Sequence, residues 1–145
     1  MTAIYNNFKN LLFTSNINVD TDTIKLALIN DSISYTPDID NEQYVSDVLD
    51  GVTANEFSDA SYSRKLVDAS VTQDNTTDTI TIDAPDLVFS ALEGDTIQSA
   101  ILFRENTDDT DSELIMHLTS SKFPLPTNTG DVTVEVDANG LLTLT

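Results

Sequence analysis

The sequence predicts a mainly β protein: an antiparallel β-sandwich or jelly roll with one N-terminal amphipathic helix, in a single domain over residues 1–145. Three observations predict it. Apolar residues recur at helical spacing once, at the start of the chain. From Thr23 onward they recur with a period of two. Clusters of Asp, Asn, Pro and Gly part those runs at roughly ten-residue intervals, as the turns of an all-β domain do.

The helix is expected over about residues 3–13. Ile4, Tyr5, Phe8, Leu11 and Leu12 form one stripe, Thr2 stands where a cap belongs, and Thr14-Ser15-Asn16 ends the run. The stripe packs either on the protein's own sandwich or as an interface against a neighbouring subunit. The first strand follows at about residue 23, with Ile24, Leu26 and Leu28 on a buried face and Lys25, Ala27 and Ile29 on the other. A long connection contains a short helix at Gln43–Leu49, closed by Asp50-Gly51. Further strands are expected at Tyr62–Val71, Thr79–Asp83, Leu87–Ser90, Ile97–Glu105, Glu113–Thr119, Val132–Val136 and Leu141–Leu144, the last two as a hairpin around Asp137-Ala138-Asn139-Gly140. The tripeptide Asp-Thr-Ile occurs at 22–24, 78–80 and 95–97. Each copy reads as a switch: Asp closes a turn by accepting hydrogen bonds from backbone N–H groups one or two residues on, and β-branched Thr and Ile open a strand.

Charge narrows the function. Six basic residues face 25 acidic ones, a net charge of −19. Nucleic acid and anionic membranes repel such a chain. No apolar run is long enough to span a bilayer, and the N-terminus lacks the pattern of a secretory signal. Nineteen of the acids are Asp and six are Glu. The Asp excess fits turn chemistry. The scarcity of Lys fits a saline, halophilic setting in which ions screen self-repulsion.

Catalytic chemistry finds little to work with. His117 is the one histidine and stands in an apolar strand, there is no cysteine, and no phosphate-binding glycine motif is present. The protein is therefore not expected to be an enzyme, and no resident cofactor is expected. The best oxygen donors for a hard cation, Ca or Mg, are Asp108, Asp109 and Asp111 in the loop from Asn106 to Asp111. Arg64-Lys65 reads as a local ion-pair partner for Asp68 or for another subunit.

Tyr5-x-x-Phe8-Lys9-x-Leu11-Leu12, Asp20-x-Asp22-Thr23-Ile24-Lys25-Leu26-Ala27-Leu28, Tyr35-Thr36-Pro37-Asp38, Tyr44 and Ser46-Asp47-Val48 together resemble a family of small virion structural proteins of tailed phages and archaeal tailed viruses. The resemblance is specific in the first fifty residues. Where such proteins carry a glycine-rich stretch, this chain has Asn55-Glu56-Phe57-Ser58-Asp59-Ala60. The resemblance implies a virion location and a non-enzymatic role: capsid decoration or bracing, with the major capsid protein or neighbouring virion proteins as partners and a homo-oligomeric arrangement. The alternative it leaves is a receptor-binding or adhesion module of the tail or a capsid spike, using the loops Asp31–Asn41 and Asn106–Ser112.

Overall fold

The computed structural model describes residues 2–144. The protein is mainly β, with antiparallel sheets and one short N-terminal helix in a sandwich arrangement. The strands are β1 (Ala3–Ile4), β2 (Ile24–Asn30), β3 (Lys65–Leu66), β4 (Ser70–Asp74), β5 (Thr79–Asp83), β6 (Leu87–Phe89), β7 (Thr96–Arg104), β8 (Leu114–Leu118), β9 (Leu125–Pro126), β10 (Val132–Val134) and β11 (Leu142–Leu144). The helices are α1 (Asn6–Phe13) and α2 (Val45–Val48).

The central sheet runs β1-β8-β7-β2-β3, with β9 extending the β8 side of β7 at Thr96 and Ile97. Its spine is the long antiparallel pair of β2 and β7, from Ile24 opposite Arg104 to Asn30 opposite Ile97. Both faces are apolar. On one face Leu26, Leu28, Ala100, Leu102 and Met116 meet Phe8, Phe57, Ile82, Phe89 and Val132. The sheets β11-β5-β4 and β10-β6 supply three of those partners and form the sandwich's second layer. On the other face Ala27, Ile29, Ile101 and Phe103 meet Tyr5, Tyr35, Val45, Val48 and Ala54. The long connection after β2 is thus a lid over a second core. The expectation that β2 buries one side strongly understates it: Ile24 and Leu26 through Asn30 are all buried.

Several elements depart from expectation for identifiable reasons. The helix starts at Asn6, not residue 3, because Ala3 and Ile4 pair with His117 and Met116 on β8. Tyr5, not Thr2, holds the cap position, and the Asn6 N–H is satisfied by the Ile39 carbonyl at 3.0 Å. At the other end Ser15 adopts φ 56° while Asn16 N–H donates to Leu11 O and Ser15 N–H to Leu12 O, a Schellman closure. The expected strand 62–71 splits into β3 and β4, which belong to different sheets. The expected C-terminal hairpin does not form: β10 pairs with β6 and β11 with β5. Gly140 explains the diversion. At φ +83° its backbone lies so close to β5 that a Cβ there would meet Thr81 and the Ile82 carbonyl within 2.7 Å. The Leu141 N–H then donates to Ile82 O at 2.8 Å.

All three Asp-Thr-Ile copies do mark turn-to-strand switches, opening β2, β5 and β7. The hydrogen bonding differs from expectation. Asp22 accepts from the Asn18 N–H behind it, Asp95 accepts from the Asn30 side chain, and Asp78 takes the left-handed conformation at φ 55°.

Candidate functional site

The acidic residues are mainly backbone partners. Among the described residues, the carboxylates of thirteen of the 19 Asp accept a backbone N–H, against one of the six Glu. At Asp50, backbone N–H groups of Thr53 and Val52 hold the carboxyl below its ordinary pKa. Asp74 is held down in the same way by the N–H of Thr76. The composition therefore has a structural cause: Asp is short enough to close its own turn and Glu is not.

The loop offered as a cation site is organised by the same chemistry. Asp108 accepts from the Thr110 hydroxyl and N–H, and Asp111 accepts from the Asp108 N–H at 3.0 Å. Asp109 turns away to a bidentate contact with Arg64, at 2.6 and 2.8 Å. The three carboxylates do not converge, and among the described residues no group of three His, Asp or Glu side chains is placed to hold a metal. Arg64 also grips Glu56 through two nitrogens and lies 5.2 Å from the Phe103 ring centre. It is a local ion-pair partner as expected, but not for Asp68. Glu56 itself is positioned because segment 55–60 runs beside β2, bridging Ile29 and burying Phe57.

Every basic side chain has an intramolecular contact. Lys9 donates to Asn6, Lys25 pairs with Glu105, Lys65 lies over Phe89, and Lys122 pairs with Glu135. Arg64 and Arg104 complete the set. Six of the 25 acidic residues sit in these ion pairs, so most of the acidic side chains have no ion-pair partner among the described residues. Melting temperature should therefore rise between low and molar salt as screening relieves repulsion. A melting temperature indifferent to salt would remove the case for a saline setting.

His117 is sealed rather than reactive. It is buried on β8, edge-on to Tyr35 with ring centres 5.2 Å apart, and neither ring nitrogen has a hydrogen-bond partner. Burial pushes its pKa down to about 4. Beside it Tyr5 and Tyr35 share a 2.7 Å hydrogen bond, and Tyr35 donates to buried Glu42 at 2.6 Å. Burial raises the pKa of Glu42 and of both tyrosines. This polar chain pins the lid and was missed in the sequence, where its members are widely spaced.

The chain has a pH consequence with a definite sign. Unfolded histidine takes up a proton near pH 6.5, whereas buried His117 resists until about 4. The unfolded state thus binds the extra proton in that window, and stability falls as pH drops through it. The total loss attributable to His117 is about 3 kcal/mol. Glu42 acts oppositely: the native state holds its proton more tightly, so its contribution falls as pH rises through its raised value. Urea unfolding at several pH values should show His117→Phe losing less stability on acidification than the wild type. An unchanged acid limb in that variant would refute the assignment.

The helix stripe divides between two environments. Tyr5 and Phe8 are fully buried, in the lid core and the sandwich core respectively, so no neighbouring subunit reaches them. Ile4, Leu11 and Leu12 are half-buried against the sandwich core. Leu12 also lines an open groove of about 320 Å³ between the end of α1 and the β11-β5-β4 sheet. Ile17, Val19 and Ile82 form its buried floor, and Val71, Ile80 and Leu144 its exposed rim. Those three rim residues are among the few large apolar side chains left exposed, and Phe13, next to Leu12, is 90% exposed. A larger hollow of about 650 Å³ lies between the central sheet and β10, walled by Leu26, Leu102, Leu118 and Val132, with the Lys122–Glu135 pair among its lining residues. No protein-family model, curated protein or solved structure matches the chain.

Proposed function

We propose that the protein is a non-enzymatic structural component of a tailed virus particle, decorating or bracing the outer capsid surface. The observation that carries this reading is the surface itself. Every basic side chain has an intramolecular contact, the histidine is sealed, and a surface of net charge −19 carries an apolar groove ringed with exposed Val71, Ile80 and Leu144. A surface of this kind supports docking more than turnover. Repetition on a symmetric shell gives weak individual contacts a large combined effect. The major capsid protein is the expected partner, and the resemblance in the first fifty residues supports the same placement.

The adhesion alternative draws no comparable support. Both loops it would use are tied inward, Asp31–Asn41 through Tyr35 and Asp38 to Glu42, and Asn106–Ser112 through Asp109 to Arg64. Quantifying this polypeptide against the major capsid protein in purified particles tests the proposal. Dozens to hundreds of copies per particle are expected. A handful would move it to the tail or a vertex, and absence would end the virion reading.

A further inference from the structure

We infer that the groove between α1 and the β11-β5-β4 sheet receives a short segment of a neighbouring virion protein, bearing apolar side chains flanked by Lys or Arg. The inference rests on the reading of this protein as a docked structural component and gives the chemistry of the contact. The shape favours apolar side chains: Ile17, Val19 and Ile82 make an apolar floor, Ser15 and Asn18 add polar edges, and about 320 Å³ has room for more than one large side chain. Val71, Ile80 and Leu144 would be covered by such an occupant, removing apolar surface from water.

Charge selects the flanks. Asp20 sits at the rim, its carboxylate accepting the Val71 N–H at 2.7 Å. No residue lining the groove is basic, and Lys9 on α1 is engaged by Asn6. Asp78 stands in the turn between β4 and β5, while Asp74 and Asp83 alternate to the face of that sheet opposite Val71, Ile80 and Ile82. Neither Asp20 nor Asp78 has an ion-pair partner among the described residues. A second copy of this chain would bring another net charge of −19 against them. A cationic segment gains from the same field that repels a copy.

The test uses the purified protein and three synthetic peptides of equal length: alternating Leu and Lys, alternating Ser and Lys, and alternating Leu and Glu. Four proteins are titrated: wild type, Ile80→Asp and Leu144→Asp at the rim, and Val52→Asp. Val52 is 80% exposed outside the groove, so this variant matches the added charge without touching the site. The Leu–Lys peptide should bind wild type and Val52→Asp alike, and both rim variants about tenfold or more weakly. The other two peptides should bind weakly to all four. Equal Leu–Lys binding by all four proteins, or Ser–Lys binding as tight, would reduce the attraction to general charge and overturn the proposal. So would equal binding of Leu–Glu, no binding of any peptide, or a concentration-dependent dimer abolished by Ile80→Asp, which would make a second copy the occupant. Copy number in particles is measured independently. High copy number with failed peptide binding would sink the groove and leave the virion reading standing.

Discussion

Arg104→Ala should destabilise the protein by about 2–3 kcal/mol, between the small worth of an exposed ion pair and the larger loss at a fully buried one. Arg104 closes β7 and is only 15% exposed. Its guanidinium makes a bidentate contact with Glu113, at 2.9 and 2.5 Å, and reaches Asp22 at 3.2 Å and the Asn16 carbonyl at 2.6 Å. It thereby joins the post-helix turn, the entry to β2, the end of β7 and the start of β8. Truncation leaves the Glu113 carboxylate, itself 14% exposed, with the Asn106 amide as its remaining side-chain donor. Nearby carboxylates hold the Arg104 pKa above its ordinary value, which is the same attraction seen from the cation's side. For a domain of this size the loss corresponds to a fall in melting temperature of roughly 5–10 °C. Arg104→Lys keeps the charge but not the planar fork, so an intermediate loss is expected. Urea unfolding of the three proteins checks the order. An Arg104→Ala variant within about 1 kcal/mol of wild type would mean the contact is no stronger than an exposed surface pair.

Phe8→Ala should cost about 3–5 kcal/mol by leaving a hollow where a fully buried ring packs in the sandwich core. The eight residues of α1 are too few to hold a helix in isolation, so its persistence depends on that anchor. Hydrogen exchange should show α1 amides losing protection first. Phe8→Leu, which refills much of the space, should recover a good part of the loss. Because α1 begins at Asn6, Phe8 lies in the first turn, where its N–H has no helical acceptor. Phe8→Pro should therefore fail through the missing ring, not through the broken helix hydrogen bond that a start at residue 3 implied. Full stability in Phe8→Ala would show that the helix is held by its half-buried residues instead.

Period-two patterning located β2, β5, β7 and β8 nearly to the residue, because alternation is a local property that each strand carries by itself. Pairing is not local. Val132–Val134 and Leu142–Leu144 read as partners because a four-residue turn joins them, yet Gly140 delivers the second to β5. Ala3 and Ile4 continued a helical stripe in sequence, while the open edge of β8 drew them into a ladder. The groove was invisible for the same reason: Leu12, the adjacent strands carrying Val71 and Ile80, and Leu144 come from three distant parts of the chain. The acid loop misled in the opposite direction. Its spacing suited a cation, but turn geometry and the distant Arg64 use the same oxygens.

The margins of the central sheet are β1 and β9 on one side and β3 on the other, each two residues long. A foreign strand arriving at either margin finds almost no ladder to extend, although β2 and β7 between them are long and rich in β-branched and aliphatic side chains. The part of the molecule best suited to seed cross-β stacking is thus flanked by stubs too short to template it. Crowding many copies side by side, even in salt strong enough to cancel their mutual repulsion, should then leave the central sheet out of any fibril.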